Sequence, residues 1–282
     1  MKKMMLLIIF VGGVLFLGGC GFVGNNITMI RPIGDVVIET FEVDDFTSFR
    51  VGGTFDVTFR YAEHHEVRIE MAENLFDYME VTVSRGALRI GVRSGVGIEF
   101  GDHQPRVTIY APYIDGVVLS GSTTATDWDA IIASSFSIEL SGASGAILDV
   151  TAEELSVRGS GSSNIELSGT APVIQINLSG ASGLLAELIT GELDLTASGS
   201  SNIELSGSAN AAQIKTSGAS HILAFNMQAE DVEIQASGSS KVEVAVSRNL
   251  DVTARGASII YYYGEAAIAQ STSGSARVRS GE

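Results

Sequence analysis

Residues 160–169 have the sequence Ser-Gly-Ser-Ser-Asn-Ile-Glu-Leu-Ser-Gly, and the same ten residues return unchanged at positions 198–207. Weaker copies follow one another at nearly regular intervals through the second half of the chain. Self-similarity at a period of this length indicates a repeat architecture. Each copy contains one glycine, usually preceded by serine, and these corner glycines are Gly121, Gly142, Gly161, Gly180, Gly199, Gly218, Gly238, Gly256 and Gly274.

Aligning the copies on the corner glycine reveals apolar columns. In the copy around Gly161, Leu155 and Val157 lie six and four positions before the glycine, and Ile165 lies four positions after it. The residues between the first two columns are nearly all polar, which is the period-2 alternation of a strand with one buried face. The nearly constant spacing of the glycines makes each copy one coil stacked on its neighbours. The sequence therefore predicts an all-β fold, a parallel β-helix or solenoid, over residues 120–282.

A second period of two coils lies inside the first. The residue five positions after the corner glycine alternates between apolar residues and glutamate, and it is expected to face outward. Placing glutamates in every second coil roughly doubles their separation to about 9.6 Å and lowers their repulsion. An outward apolar stripe is either covered or a contact surface, and the sequence favours internal cover or self-association over ligand binding. The candidate interaction stripe comprises Ile147, Glu166, Leu185, Glu204, Leu223, Glu243 and Tyr261.

The first residues indicate export. Lys2 and Lys3 precede an apolar run over residues 4–17 that is short for a membrane span, and Leu-Gly-Gly-Cys ends at Cys20. This order resembles a lipoprotein signal, with a simple signal peptide as the alternative. We predict a signal peptide over residues 1–19 and acylation of Cys20, whose acyl chains anchor the protein to the membrane. Residues 20–34 would form a tether. The expected location is the bacterial cell envelope, at the outer membrane or cell surface of a Gram-negative host.

Charge and cysteine content exclude several classes of protein. The 17 basic and 33 acidic residues give a net charge of −16, which argues against nucleic acid as a partner. The apolar content of 45% is too high for a disordered acidic chain. A single cysteine permits neither an internal disulfide nor a cysteine-based metal cage.

Residues 35–119 contain shorter β-type runs, predicted to form a β region continuous with the solenoid. Residues 46–59, Phe-Thr-Ser-Phe-Arg-Val-Gly-Gly-Thr-Phe-Asp-Val-Thr-Phe, resemble the bacterial family called putative auto-transporter adhesin, head GIN domain. Residues 74–90 and the repeated decapeptide add to this resemblance, which covers about residues 40 to 280. It implies a right-handed β-helix exported to the envelope, without recognised catalytic residues.

The sequence contains few candidate catalytic or metal-binding residues. Glu166 and Glu204 are about 9.6 Å apart by coil spacing, at the far edge of the separation used by inverting glycosidases. No calcium-loop pattern occurs, so no metal and no cofactor are predicted. We therefore predict a non-enzymatic, lipid-anchored envelope protein that acts as an adhesin. Its ligand would be a glycan or a protein, and a homo-oligomer is possible. The alternatives are a self-assembling structural protein and a polysaccharide-active enzyme.

Overall fold

The computed structural model describes residues 28–99 and 104–281 and confirms the all-β prediction. The chain forms a β-solenoid of about nine coils. A 3-10 helix spans Glu73–Tyr78. The strands are β1 (Thr28–Ile30), β2 (Val36–Glu42), β3 (Ser48–Gly53), β4 (Asp56–Tyr61), β5 (Glu66–Ala72), β6 (Met79–Ser84), β7 (Ala87–Val92), β8 (Val96–Ile98), β9 (Arg106–Ala111), β10 (Gly116–Gly121), β11 (Thr124–Trp128), β12 (Ile131–Leu140), β13 (Gly145–Gly159), β14 (Asn164–Leu178), β15 (Gly183–Ala197), β16 (Asn202–Thr216), β17 (His221–Ala236), β18 (Lys241–Ala254), β19 (Ile259–Tyr263), β20 (Ala267–Thr272) and β21 (Arg277–Ser280).

The long strands stack in parallel with the predicted period. From β12 to β16 each coil repeats the register of the one before it, so that Leu155 pairs with Ile174, and Ile174 with Leu193. The predicted apolar columns form the core, because Leu155, Val157 and Ile165 are at most 1% exposed. The solenoid interior is therefore filled by the inward members of each period-2 alternation.

The corner glycines are required by two features of the backbone. Gly199 has a φ of +75°, a conformation that residues with a Cβ rarely adopt. A Cβ on this residue would lie 2.5 Å from the carbonyl oxygen of Gly180 in the preceding coil. That oxygen accepts a 2.7 Å hydrogen bond from the amide of Ser200. The corners therefore stack through their backbones, with no room for a side chain between them.

A buried hydroxyl lies two positions after eight of the nine corner glycines, whereas Ala276 takes this position after Gly274. Ser201 Oγ donates to the carbonyl oxygen of Ser198 at 2.8 Å, and Ser220 Oγ donates to that of Ser217 at 3.0 Å. Ser163 instead donates to Ser182 Oγ at 3.3 Å. Apart from Ser163, each of these hydroxyls thus satisfies a carbonyl oxygen inside its own turn. The buried hydroxyl residues at these corners are Thr123, Ser144, Ser163, Ser182, Ser201, Ser220, Ser240 and Ser258.

The first coil is built from residues far back in the chain. Strands β3 and β4 pair in parallel with β10 and β11, although five other strands lie between β4 and β10 in the sequence. Gly53 precedes Gly121 in the corner stack, because its carbonyl oxygen accepts a 2.7 Å hydrogen bond from the amide of Ser122. The sheet is thus continuous with the N-terminal β region, as predicted. The proposed division between residues 119 and 120 falls inside β10.

The N-terminal end of the solenoid is covered by antiparallel strands and an aromatic core. Strand β6 pairs antiparallel with β7, and β5 pairs antiparallel with both β2 and β9. Phe49 and Phe59 are fully buried beneath Trp128, with ring centroids 5.4 and 5.9 Å from the indole. The Trp128 Nε1 donates to the carbonyl oxygen of Val57 at 2.7 Å.

The C-terminal part of the proposed tether contacts this end of the fold. Strand β1 pairs with β8 in a separate two-stranded sheet. Asn74 accepts a hydrogen bond from the amide of Ile33 and donates one to the carbonyl oxygen of Arg31. The predicted signal peptide and the acylation site Cys20 lie outside the described residues.

Candidate functional site

The strand register assembles all seven stripe residues into one outward column. Ile147 pairs with Glu166, Glu166 with Leu185, and Leu185 with Glu204. The column then continues in the same manner through the next coils, which contribute Leu223, Glu243 and Tyr261. Glutamates and apolar residues thus occupy alternate coils, as the two-coil period predicts.

The stripe is open to solvent at its N-terminal end. Ile147 is 46% exposed and Leu185 is 50% exposed, whereas Leu223 and Tyr261 are half-buried. The predicted internal cover is therefore not supplied to Ile147 and Leu185 by residues 28–99 or 104–281. These side chains can contact another molecule without prior rearrangement.

A groove of about 510 Å³ runs beside the open part of the stripe. One wall contains Ile147, Glu166 and Leu185, and Trp128 closes one end. The next outward column forms the other wall and contributes Asp149, Ser168, Glu187 and Ser206. The groove combines exposed aliphatic surface with carboxylates, which suits a partner with both apolar and hydrogen-bonding groups.

The three stripe glutamates have different surroundings. Lys241 Nζ lies 2.5 Å from Glu243 Oε1 and 5.5 Å from the centre of the Tyr261 ring. The hydrogen bond to Glu243 raises the pKa of Lys241 above its usual value. Within the described part of the chain, Glu166 and Glu204 have no such ion pair. Uncompensated negative charge is therefore confined to the more open part of the stripe.

A second depression of about 510 Å³ lies on the face before the corner. Its floor contains Ala211 and Ala212, and its walls include Glu192, Asp194 and Asp231. Hydrogen bonds from Arg248 and then Asn249 lower the pKa of Asp231 from 3.8 to about 2. Gln235 and Gln213 likewise lower the pKa of Glu233 by hydrogen bonding.

These pKa values bear on catalysis. A general acid must hold a proton near the working pH, which Asp231 with a pKa of about 2 cannot do at neutral pH.

Among residues 28–99 and 104–281, no cluster of three or more histidine, cysteine or acidic side chains is arranged to hold a metal. Within the same residues, no helix has the length and apolar character needed to cross a membrane.

The fold and its surface define a β-solenoid that presents open grooves along stacked coils. Residues 45–190 and 174–266 match the family described as "Putative auto-transporter adhesin, head GIN domain". The match covers more than half of the chain, so the protein belongs to this family, and the resemblance noted from the sequence is confirmed.

Solved structures share the fold. A putative adhesin from Parabacteroides merdae is 21% identical, with 90% of this chain and 100% of that one aligned at a TM-score of 0.71. A putative adhesin from Parabacteroides distasonis is 18% identical, with 89% and 99% aligned at 0.71. A P. distasonis protein called a putative lipid binding protein is 19% identical, with 90% and 100% aligned at 0.68. No curated protein matches the chain.

Proposed function

We propose that this protein is a lipid-anchored interaction protein of the bacterial cell envelope, an adhesin and not an enzyme, and that its stripe is the contact surface. The name of its family and the names of two structural relatives support an adhesive role.

The observation that carries this proposal is the half-exposed pair Ile147 and Leu185, which flank Glu166 in one rigid column. The two aliphatic side chains are about 9.6 Å apart, at two coil spacings. A partner with a similar repeat, such as a glycan or another solenoid, could contact several coils at once. Because the column is held by the strand ladder, little conformational entropy would be lost on binding.

A paired substitution tests the stripe. Leu185→Glu places a charge in the exposed column, whereas Ile132→Glu places the same charge on a side chain that is 74% exposed outside the stripe. We expect Leu185→Glu to reduce aggregation of expressing cells and their attachment to mucin-coated glass, and Ile132→Glu to leave both unchanged. Equal behaviour of the two variants would contradict the role of the stripe.

Anchoring is proposed to occur through Cys20, which would become the acylated first residue of the mature protein. Two or three acyl chains give stable membrane attachment, since each buried methylene contributes about 0.8 kcal/mol. Cys20→Ala should move the protein from the membrane fraction to the soluble fraction of lysed cells. Retention of the variant in the membrane fraction would refute the anchor.

Self-assembly is the second candidate function, and the exposure of Ile147 and Leu185 favours it as well. A structural envelope protein would form a stable homo-oligomer that buries these residues. Light scattering over a range of concentrations separates the two functions. A mass that exceeds one chain at micromolar concentration and falls in Leu185→Glu would support assembly, whereas a constant monomer mass would exclude it.

A further inference from the structure

A second surface lies on the opposite side of the corner from the stripe. It consists of two outward columns, three positions and one position before the corner glycines, and we call it the corner groove. Strand pairing continues the first of these columns without interruption through ten successive coils. In stacking order they are Arg89, Arg50, Val118, Glu139, Arg158, Asn177, Thr196, Lys215, Gln235 and Thr253.

Basic residues are concentrated on this surface, although acidic residues outnumber basic ones 33 to 17 in the whole chain. Four of them belong to the column above, and Arg255 belongs to the column beside it. Among the described residues, Arg50, Arg89, Arg158 and Arg255 have no ion-pair partner, while the arginines that do have one lie elsewhere. Lys215 Nζ donates to Gln213 Oε1 at 2.7 Å.

The groove itself is formed by two cavities of about 310 and 320 Å³ that share Thr196. The first cavity is lined by Arg158, Asn177 and Ser179, with Glu139 as the only carboxylate. The second is lined by Lys215 and Arg255 and has no carboxylate among its lining residues. Its remaining exposed or half-buried polar side chains are uncharged, namely Thr196, Ser217, Gln235, Ser237 and Thr253, whereas the Thr216 hydroxyl is buried.

The dimensions suit an extended chain. Six strand spacings separate the coils of Glu139 and Thr253, which gives a length of about 29 Å. Along the solenoid axis, the coil of Lys215 lies three strand spacings, about 14 Å, from the coil of Arg158, and two strand spacings, about 10 Å, from the coil of Arg255. Hydroxyl and amide donors fill the positions between these cations. Guanidinium groups bind carboxylate and sulfate oxygens in a bidentate manner, and hydroxyl and amide donors bind sugar oxygens.

We propose that the corner groove binds an extended polysaccharide bearing carboxylate or sulfate groups, with Lys215 and Arg255 each contacting an acidic group. The site is separate from the stripe and does not depend on it. Nucleic acid suits the groove less well, because a duplex presents a charge about every 1.7 Å and these cations are far more widely spaced.

The neighbouring column limits the strength of binding. Asp194, Glu233 and Asp251 lie two positions before Thr196, Gln235 and Thr253, on the outer flank of the groove. Their charges and the net charge of −16 oppose an anionic ligand. Binding should therefore require the acidic groups of the polysaccharide to lie close to the cations of the groove. The affinity should fall as salt screens this attraction.

The test is calorimetric titration of the full chain in neutral detergent with polygalacturonate, dextran sulfate and uncharged dextran. We expect at least one acidic polymer to bind and dextran not to bind, with affinity falling as salt rises from about 50 to 200 mM. Lys215→Gln with Arg255→Gln should weaken binding roughly tenfold or more, since two charge-assisted contacts are lost. A response to polygalacturonate alone identifies the group as carboxylate, and a response to dextran sulfate alone identifies it as sulfate.

The control carries the same change of charge away from the groove. Arg93→Gln with Arg277→Gln alters two arginines that line neither cavity. This variant should bind the acidic polymer like the wild type. Leu185→Glu should do so as well, because the groove binds independently of the stripe. The proposal is overturned if neither acidic polymer binds, if dextran binds equally well, or if the control loses as much affinity as the groove variant.

Discussion

Replacing Gly199 by alanine tests how the coils are held together. Gly199 has a φ of +75°, and an added Cβ would lie 2.5 Å from the carbonyl oxygen of Gly180. Real Cβ atoms do not approach backbone oxygen so closely, so the corner must move away from the preceding coil. That movement lengthens the 2.7 Å hydrogen bond from the Ser200 amide to the same oxygen.

The magnitude follows from these two effects. The left-handed conformation costs a residue with a Cβ about 1–2 kcal/mol. Loss of a well-formed backbone hydrogen bond adds about 1 kcal/mol. We therefore expect Gly199→Ala to lower the free energy of unfolding by about 2–3 kcal/mol.

Gly86→Ala provides the matched control. Gly86 also has a φ of +75°, but an added Cβ would meet no atom within 4 Å. It should therefore cost only the conformational part, about 1–2 kcal/mol. The effect of alanine on the unfolded chain is common to both variants and cancels in the comparison. Urea denaturation followed by circular dichroism measures both, and equal losses in the two variants would refute the stacking argument.

Two further predictions concern side chains. Ser201→Ala removes the buried hydrogen bond to the carbonyl oxygen of Ser198 and should lower the free energy of unfolding by about 1 kcal/mol. Ser200→Ala, at the exposed neighbouring position, should change this free energy by less than about 0.5 kcal/mol. Equal effects of the two substitutions in urea denaturation would contradict a role for the buried hydroxyl. Asp231, with a pKa of about 2, should titrate at a higher pH in Arg248→Gln, because the largest cause of the lowering is removed while the hydrogen bond from Asn249 remains. Because this pKa is lowered by folding, the stabilisation is complete above about pH 4 and is lost as the pH falls towards 2. Carboxyl carbon shifts followed by NMR check both pKa values, and a value unchanged in the variant would exclude Arg248 as the cause.

The sequence predicts the solenoid well because its information is local and repeated. Leu155 and Val157 alternate with polar residues, and the same alternation returns one coil later at Ile174 and Ile176, which specifies both strand and register. The stripe follows from the same register. The exposure of each stripe residue does not follow from the register, because it depends on neighbouring side chains, such as Lys241, which lies over the ring of Tyr261.

Two features of the fold cannot be predicted from the sequence repeat. Gly53 belongs to the corner stack, but it lies far from Gly121 in the sequence, and no local spacing connects them. The register also shifts between Glu204 and Ser206, where β17 accommodates an additional residue at Phe225. A bulge of this kind leaves the apolar columns intact on both sides, and only the longer spacing between Gly218 and Gly238 indicates it.

The corner groove cannot be predicted from the repeat for a related reason. Arg158 and Lys215 both lie three positions before a corner glycine, so the repeat alignment contains part of the pattern. Arg50 and Arg89 join the column only through pairing of β3 with β10 and of β3 with β7. The concentration of positive charge therefore emerges from non-local strand pairing in a chain whose total charge has the opposite sign.

The most direct test of an adhesive envelope protein is antibody labelling of intact cells compared with lysed cells. We expect intact cells to be labelled, with no further gain in signal on lysis, because an adhesin must reach partners outside the cell. Signal that appears only after lysis would contradict the adhesive function and would place the partners of the stripe and the corner groove inside the envelope.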